Sequence, residues 1–221
     1  MKPVEDVLLL VDVQYDFMPG GALAVAHGDE VVPVINRLAT AFSHVVLTQD
    51  WHPASHVSFA ANHAGRAPFE TIALPYGEQV LWPTHCVQGT GGAVLHRDLN
   101  APHARLIVRK GHHEQVDSYS AFVEADRATP TGLAGYLREV GAKRVWLAGL
   151  ATDYCVAWSA LDARAAGFEA VVIEDACRAI DLNGSLDKAW REMHAAGVAR
   201  MRSDDVADAS AGGPARSACK A

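Results

Sequence analysis

The sequence predicts an α/β fold in which a parallel β-sheet is covered by helices on both faces. Short, almost continuous apolar runs alternate along the chain with segments whose apolar residues recur at helical spacing. Several of the apolar runs end in a charged or reactive side chain. In a parallel sheet the carboxyl ends of the strands meet at one edge, and ligands bind there. The sequence therefore predicts a functional site at that edge.

The predicted strands and helices can be followed in order. The first strand, 7–13, is apolar except for Asp12 near its end, which is typical of a strand buried on both faces. From Gln49 to Gly92 the chain is rich in Gly, Pro and His without clear periodicity, so we expect a functional loop region there. The other predicted strands are 44–48, 106–111, 144–148, 170–173 and 198–201, and the predicted helices are 28–42, 131–140, 156–163 and 185–196.

Composition indicates an ordinary globular protein. The 221 residues, half of them hydrophobic, suffice for one domain with a sizeable core. We expect that domain over 1–203 and a small-residue tail over 204–221. The net charge of −7 and the lack of a basic cluster make nucleic acid an unexpected partner. Ala-rich helix faces permit a homo-oligomer without requiring one.

The location of the protein is predicted from what the sequence lacks. It shows no signal-peptide pattern and no apolar stretch long enough for a membrane span. The four cysteines are scattered, which suits free thiols in a reducing compartment. We therefore expect a cytoplasmic protein with no membrane partner.

Cys155 is the candidate nucleophile. It follows the strand 144–148 and lies in the first turn of the next helix, where Thr152 or Asp153 can act as the N-cap. Unpaired N–H groups and the positive end of the helix dipole favour a thiolate there and could hold an oxyanion. The alternative is that Cys155 is a small buried hydrophobe.

Two further groups of residues point to chemistry. Asp50 and His52, two residues apart in an extended segment, point to the same side, and Pro53 turns the chain so that His56 can return. With His85 they offer one oxygen and three nitrogens to a divalent metal such as zinc, iron(II), manganese or nickel, with an open coordination position.

Asp12 and Lys110 lie at two other predicted strand ends. A nucleophilic cysteine needs a group that takes its proton and a cation that stabilises the thiolate, and these two residues could supply them. They could equally form a buried ion pair with a purely structural role.

Taken together, these motifs resemble one known family. The segments Asp12–Phe17, Asp50–Pro53 with His56, Trp82–Thr90, Arg109–Gly111 and Gly149–Val156 are similar to those of the nicotinamidase/pyrazinamidase branch of the isochorismatase-like cysteine hydrolases. The resemblance covers the chain to about residue 203. It implies a three-layer α/β/α sandwich with a six-stranded, mostly parallel sheet. It also implies hydrolysis of nicotinamide to nicotinate and ammonia, and acceptance of pyrazinamide.

The resemblance also implies residue roles. Cys155 would be the nucleophile, Asp12 the general base and Lys110 the supporting cation. The Leu150–Ala151 peptide would be cis, so that the N–H groups of Ala151 and Cys155 form the oxyanion hole. The predicted metal ligands are Asp50, His52, His56 and His85, and the predicted substrate contacts are Phe17, Trp82 and Tyr119. The open metal position would take the pyridine nitrogen, and a thioester would form on Cys155.

Two competing interpretations remain open. The same fold and cysteine could act on another small amide, such as a ureido or carbamoyl compound, although the metal ligands and stacking aromatics favour a flat heteroaryl amide. A non-catalytic metal-binding or thiol-redox protein would use the histidines and Cys155. Such a protein has no use for Lys110 and Asp12, and no Cys-x-x-Cys accompanies Cys155.

Overall fold

The central feature of the structure is a six-stranded parallel sheet. The computed structural model describes residues 2–206. The sheet has the strand order β5-β2-β1-β6-β7-β8, with every pair parallel. Its strands are β1 (Asp6–Val11), β2 (Val45–Asp50), β5 (Leu106–Lys110), β6 (Arg144–Leu150), β7 (Glu169–Arg178) and β8 (Ala199–Met201). The six predicted strands are all present, and the predicted fold class is confirmed.

Helices cover both faces of the sheet because the strands are apolar on both sides. Along β1, Leu8 and Leu10 pack into the cluster that contains helix α1 (Val31–Ala39). Leu9 points to the other face and packs into the cluster of helices α2 to α4. Those helices are α2 (Leu133–Glu139), α3 (Ala157–Ala165) and α4 (Ser185–Ala195). Alternate residues of one strand are thus buried in two separate cores, which explains the continuous apolar runs in the sequence.

The long region after β2 contains an element that the sequence did not predict. Strands β3 (Thr71–Leu74) and β4 (Gly77–Val80) form an antiparallel hairpin. Most of its residues are half-buried or exposed, so the apolar alternation that would have revealed the strands is weak. One of them, Gln79, is only 1 % exposed and belongs to the site described below.

Two further features concern membrane-spanning helices and the C-terminal end of the described residues. No helix within residues 2–206 is long and apolar enough to cross a membrane. The predicted tail, 204–221, begins with a short 3₁₀ turn (Ser203–Val206) in which Val206 is buried against the α1 side of the sheet. Positions 207–221 lie outside the described residues, so the predicted boundary at residue 203 stays a prediction.

Candidate active site

Four strand ends bring the predicted catalytic groups to one edge of the sheet. β5, β2, β1 and β6 are successive neighbours, and at their carboxyl ends lie Lys110, Asp50, Asp12 and the turn that carries Cys155. All four side chains are buried. Gly149 of β6 lies so close to β1 that a Cβ would meet the Val11 carbonyl oxygen, and this close approach helps to place Asp12 beside the Cys155 turn.

Lys110 joins the predicted catalytic residues into one cluster. Its Nζ lies 2.8 Å from Asp12 Oδ2 and 3.0 Å from Asp50 Oδ1. The same ammonium lies 3.3 Å from Cys155 Sγ and donates to the Ser118 carbonyl at 3.1 Å. Burial alone would lower the pKa of Lys110, but the two carboxylates outweigh it and raise that pKa well above its usual range. Lys110 is therefore a permanent cation in contact with the sulfur.

Asp12 is arranged to accept a proton. Thr48 Oγ1 donates to its Oδ1 at 2.6 Å and accepts from the Asp12 N–H at 3.0 Å. The other oxygen, Oδ2, faces the Lys110 ammonium as an ion pair and has no aligned hydrogen-bond donor among residues 2–206. Burial raises the pKa of Asp12 above its ordinary value, against the opposing effect of Lys110. A carboxylate with a raised pKa is a better general base.

The surroundings of Cys155 favour the neutral thiol over the thiolate. Burial raises its pKa well above the ordinary value, more than Lys110 lowers it, and the carboxylates of Asp12 and Asp50 add to the rise. The helix position was expected to favour a thiolate, but desolvation and the two neighbouring carboxylates act in the opposite direction. The sulfur needs a base at the moment of attack, and Asp12 is next to it.

The turn before Cys155 differs from the predicted helix start. The Leu150–Ala151 peptide is cis, as expected. Residues Thr152–Val156 then form a π-helical turn that leads into α3, and no side chain caps it. Asp153 instead accepts hydrogen bonds from the N–H groups of Ile180 and Asp181 and from Ser185 Oγ. The predicted N-cap is therefore wrong. Donors some thirty positions later in the chain occupy the Asp153 carboxylate, so it does not accept from the helix N-terminus.

One predicted oxyanion donor is free. The Ala151 N–H donates no hydrogen bond to any residue that the structure describes. Ala151 and Cys155 both line the cavity at this edge. A backbone N–H without an acceptor beside the nucleophile can receive the oxygen of a tetrahedral intermediate.

Asp50, His52 and His85 form a set that fits a divalent metal. His52 Nδ1 donates to the Gly111 carbonyl at 2.8 Å, and His85 Nδ1 donates to the Pro83 carbonyl at 2.8 Å. The two Nε2 atoms then face Asp50 Oδ2 at 2.9 and 3.3 Å. Imidazole lone pairs that converge on a carboxylate require a cation between them and the carboxylate. In metal-binding histidines the second ring nitrogen typically donates to a backbone carbonyl, as it does in both of these residues.

The charge states around this set agree with metal binding. Burial opposes ionisation of Asp50, but His52 and Lys110 hold its pKa well below the usual range, so the carboxylate is charged. In the protein without a metal, a proton on His52 takes the place of the cation: although burial works against it, Asp50 raises the pKa of His52.

His56 lies beside the three-residue set. Its ring centroid is 4.1 Å from that of His52, but its nitrogens face Ser58 Oγ at 2.7 Å and the Val116 carbonyl at 3.3 Å. Burial lowers the pKa of His56 to about 4, so the ring is neutral. It groups with His52 and Asp117 as a second possible ligand set. Its role as a metal ligand stays a prediction.

Contacts from Gln14 and Gly111 hold the predicted metal ligands Asp50 and His52 in place. Gln14 Oε1 accepts from the Asp50 N–H at 2.8 Å, and Gln14 Nε2 donates to the Asp50 carbonyl at 2.8 Å. Gly111 has a φ of +65°, and a Cβ there would lie 2.4 Å from His52 Cε1. The residue after Lys110 therefore has to be glycine for the His52 ring to occupy its place.

The cavity at the strand ends has aromatic walls. The space between these walls is about 340 Å³ when the part that is open to solvent is included. The three predicted substrate contacts, Phe17, Trp82 and Tyr119, all line it, together with Cys155. Trp82 Nε1 donates to the Tyr119 hydroxyl at 2.9 Å, which fixes the two rings against each other.

Sequence reasoning missed several groups at the site. Tyr154 packs edge-on against Trp82 with ring centroids 4.8 Å apart. Asp117 is buried in the cavity wall and accepts from Gln79 Nε2 at 2.8 Å. Tyr154 could have been found, since it precedes Cys155 directly. Gln79 and Asp117 could not, because nothing in their local sequence marks them. Leu23 and Ile180 complete the missed lining residues.

Comparison with known proteins gives consistent matches. Residues 6–205 match the family described as the isochorismatase domain. A nicotinamidase of Acinetobacter baylyi is 60 % identical over 199 residues, which cover 90 % of this chain and 93 % of that protein.

Two solved structures have the same fold over almost their whole length. PnC1 from L. infantum, in complex with nicotinate, has a TM-score of 0.81 and 40 % identity and covers 92 % of this chain and 96 % of its own. A pyrazinamidase of Pyrococcus horikoshii in complex with zinc has a TM-score of 0.74 and 36 % identity, with coverage of 90 % and 99 %.

Proposed function

The chain belongs to the isochorismatase-domain family, and within that family we propose that it is a nicotinamidase, which hydrolyses nicotinamide to nicotinate and ammonia. The observation that carries the proposal is the contact of Lys110 Nζ with Asp12, Asp50 and Cys155 at once. This contact brings together the proposed nucleophile, the proposed base and one residue of the predicted metal-binding set, beside a cavity with aromatic walls. The 60 % identity to a curated nicotinamidase supports the same activity.

The first half of the reaction forms a thioester. Cys155 Sγ attacks the carboxamide carbon while its proton passes to Asp12 Oδ2. The N–H groups of Ala151 and Cys155 receive the oxyanion, and preorganised donors of this kind stabilise the transition state strongly. Asp12 then gives the proton to the amide nitrogen, the carbon–nitrogen bond breaks and ammonia leaves.

The second half releases the acid. Asp12, again a carboxylate, takes a proton from a water that attacks the thioester carbon. The carbon–sulfur bond breaks, nicotinate leaves, and the proton returns to Cys155 Sγ. Throughout both halves the Lys110 ammonium offsets the negative charge that moves between Asp12 and the sulfur.

The walls of the cavity set the substrate class. Phe17, Trp82 and Tyr119 present apolar ring surfaces, which suit a flat aromatic amide better than a ureido or carbamoyl compound. Asp50, His52 and His85, with His56 as a further predicted ligand, would hold a divalent metal, which would supply a Lewis-acidic position for the ring nitrogen of the substrate. Zinc, iron and manganese all suit these ligands. Pyrazinamide carries the same carboxamide and a ring nitrogen, so we expect turnover of it as well.

Ammonia release from nicotinamide by the purified, metal-loaded protein tests the proposal. Cys155→Ala removes the nucleophile and should abolish turnover. Cys177→Ala changes another buried, unpaired thiol, which is outside the site, and should leave turnover unchanged. Activity in Cys155→Ala, or inactivity of the metal-loaded wild type towards nicotinamide, contradicts the proposal. A cytoplasmic location and a homo-oligomeric assembly stay predictions from the sequence.

A further inference from the structure

A second group of metal-ligating side chains lies outside the active site. His112, His113 and Glu124 each offer one ligand atom, and these atoms lie within 4.8 Å of one another. The centroids of the two imidazole rings are 4.1 Å apart, and the ring planes are tilted by 44°. None of the three belongs to the residues to which the proposed hydrolysis assigns a role.

Glu124 is the feature that calls for a cation. Its side chain is only 2 % exposed, and both carboxylate oxygens lie 2.8 Å from His113 Nδ1. Among the described residues no other side chain or backbone N–H donates to this carboxylate. A buried carboxylate is costly unless a cation or several donors compensate it. One half-exposed histidine is a poor compensation, because a single Nδ1–H is shared between the two carboxylate oxygens.

The distances permit one ion to replace the histidine proton. Zinc binds imidazole nitrogen and carboxylate oxygen at about 2.0–2.2 Å, so two ligand atoms of a tetrahedral site are about 3.4 Å apart. The 2.8 Å contact of His113 with Glu124 is close to that spacing. His112 is exposed and can rotate to bring its nitrogen to the same point. Water completes such a site, since solvent reaches both histidines.

This site would control a segment that touches the active site at several points. Gly111–Ser118 leaves β5 directly after Lys110. The Gly111 carbonyl accepts from His52 Nδ1 at 2.8 Å, and the Ser118 carbonyl accepts from Lys110 Nζ at 3.1 Å. Glu124 follows the segment, six residues after Ser118. An ion shared by the histidine pair and Glu124 therefore clamps the segment that carries Asp117 into the cavity wall.

We propose that His112, His113 and Glu124 form a second, solvent-accessible site for a zinc-type divalent ion, which clamps the segment Gly111–Ser118. The imidazole pair favours zinc or nickel over calcium or magnesium, which prefer oxygen ligands. The proposal is independent of the reaction catalysed at the strand ends.

Zinc uptake by the full chain tests the site. After chelation and desalting, wild type should bind one more equivalent of zinc than His112→Ala or Glu124→Gln. Asp50→Ala should lose the zinc equivalent bound at the active site and keep the one bound by His112, His113 and Glu124. His27→Ala is the matched control, because His27 forms an exposed pair with Glu30 at 3.0 Å, and within residues 2–206 no third ligand joins this pair. It should bind as much zinc as the wild type.

Hydrogen exchange gives a readout that does not involve activity. Zinc at about 100 times its dissociation constant should slow exchange through opening of the segment 112–118 by up to about 100-fold in wild type and not in His112→Ala. Equal zinc uptake by wild type, His112→Ala and Glu124→Gln would show that His113 and Glu124 are only an ion pair. If the protein binds the second equivalent of zinc but exchange in the segment does not slow, the ion does not restrain the segment, and that part of the proposal is wrong.

Discussion

Replacing Asp12 by asparagine tests two effects of this carboxylate on Cys155, which two different measurements report. As the proposed base, Asp12 would take the thiol proton during attack. As a buried negative charge next to the sulfur, it raises the pKa of the thiol, together with burial itself and against Lys110. The asparagine side chain is similar in size and can still accept from Thr48. The substitution removes the proton acceptor and the charge together.

The two effects predict opposite changes in two measurements. General acid–base catalysis contributes about 10²- to 10⁴-fold, so kcat for nicotinamide should fall by that factor, which corresponds to about 2.7–5.5 kcal/mol of activation free energy. The reactivity of the sulfur should rise, because Lys110 at 3.3 Å then acts on the thiol with one fewer opposing carboxylate. The midpoint of Cys155 alkylation should therefore move to lower pH in Asp12→Asn.

Ammonia release gives the first quantity, and iodoacetamide labelling followed by peptide mapping gives the second. Peptide mapping is required because the chain has other cysteines. Asp162→Asn is the control: it alters another buried carboxylate, paired with Arg127 away from the site, and should change neither quantity. Turnover within tenfold of wild type, or slower alkylation of Cys155 in Asp12→Asn, would refute the assignment of Asp12 as the base.

Three further predictions follow from single contacts. Thr48→Val removes the 2.6 Å hydrogen bond that orients the Asp12 carboxylate. It should lower kcat roughly tenfold, about 1.4 kcal/mol of activation free energy, because the loss of orientation outweighs the rise in the pKa of Asp12 that the same change causes; the fold, checked by circular dichroism, should persist. His56 has a folded pKa of about 4 against an ordinary 6.5, so the unfolded chain binds more protons between these values. Metal-free protein should lose up to about 3 kcal/mol of stability as the pH falls from 6.5 to 4, and a urea titration of His56→Gln should show a flatter pH dependence. Gly111→Ala should lower Tm by roughly 2–8 °C and weaken metal binding, because its Cβ would lie 2.4 Å from the His52 ring. Gly65→Ala has a similar φ of +73° but open space around it, and calorimetry should show a smaller loss with unchanged metal affinity.

The local sequence determined the elements and most of the site. Apolar runs and helical spacing identified the six parallel strands and their helices, because burial on both faces leaves a continuous apolar pattern in each strand. Asp12, Asp50 and Lys110 could be grouped without coordinates, since the carboxyl ends of parallel strands share one edge. The roles of Phe17, Trp82 and Tyr119 came from motif resemblance, and the structure places all three in the cavity wall.

Tertiary contacts decided the features that depend on segments distant in sequence. The raised pKa of Cys155 follows from burial and from carboxylates on two other strands, neither of which its helix position reveals. Asp153 accepts from donors near residue 181 and does not cap the helix. Gln79 reaches Asp117 from a hairpin with no clear pattern. Periodicity records which face of an element is buried, whereas charge state and hydrogen-bond partner depend on what the folded chain brings against that face.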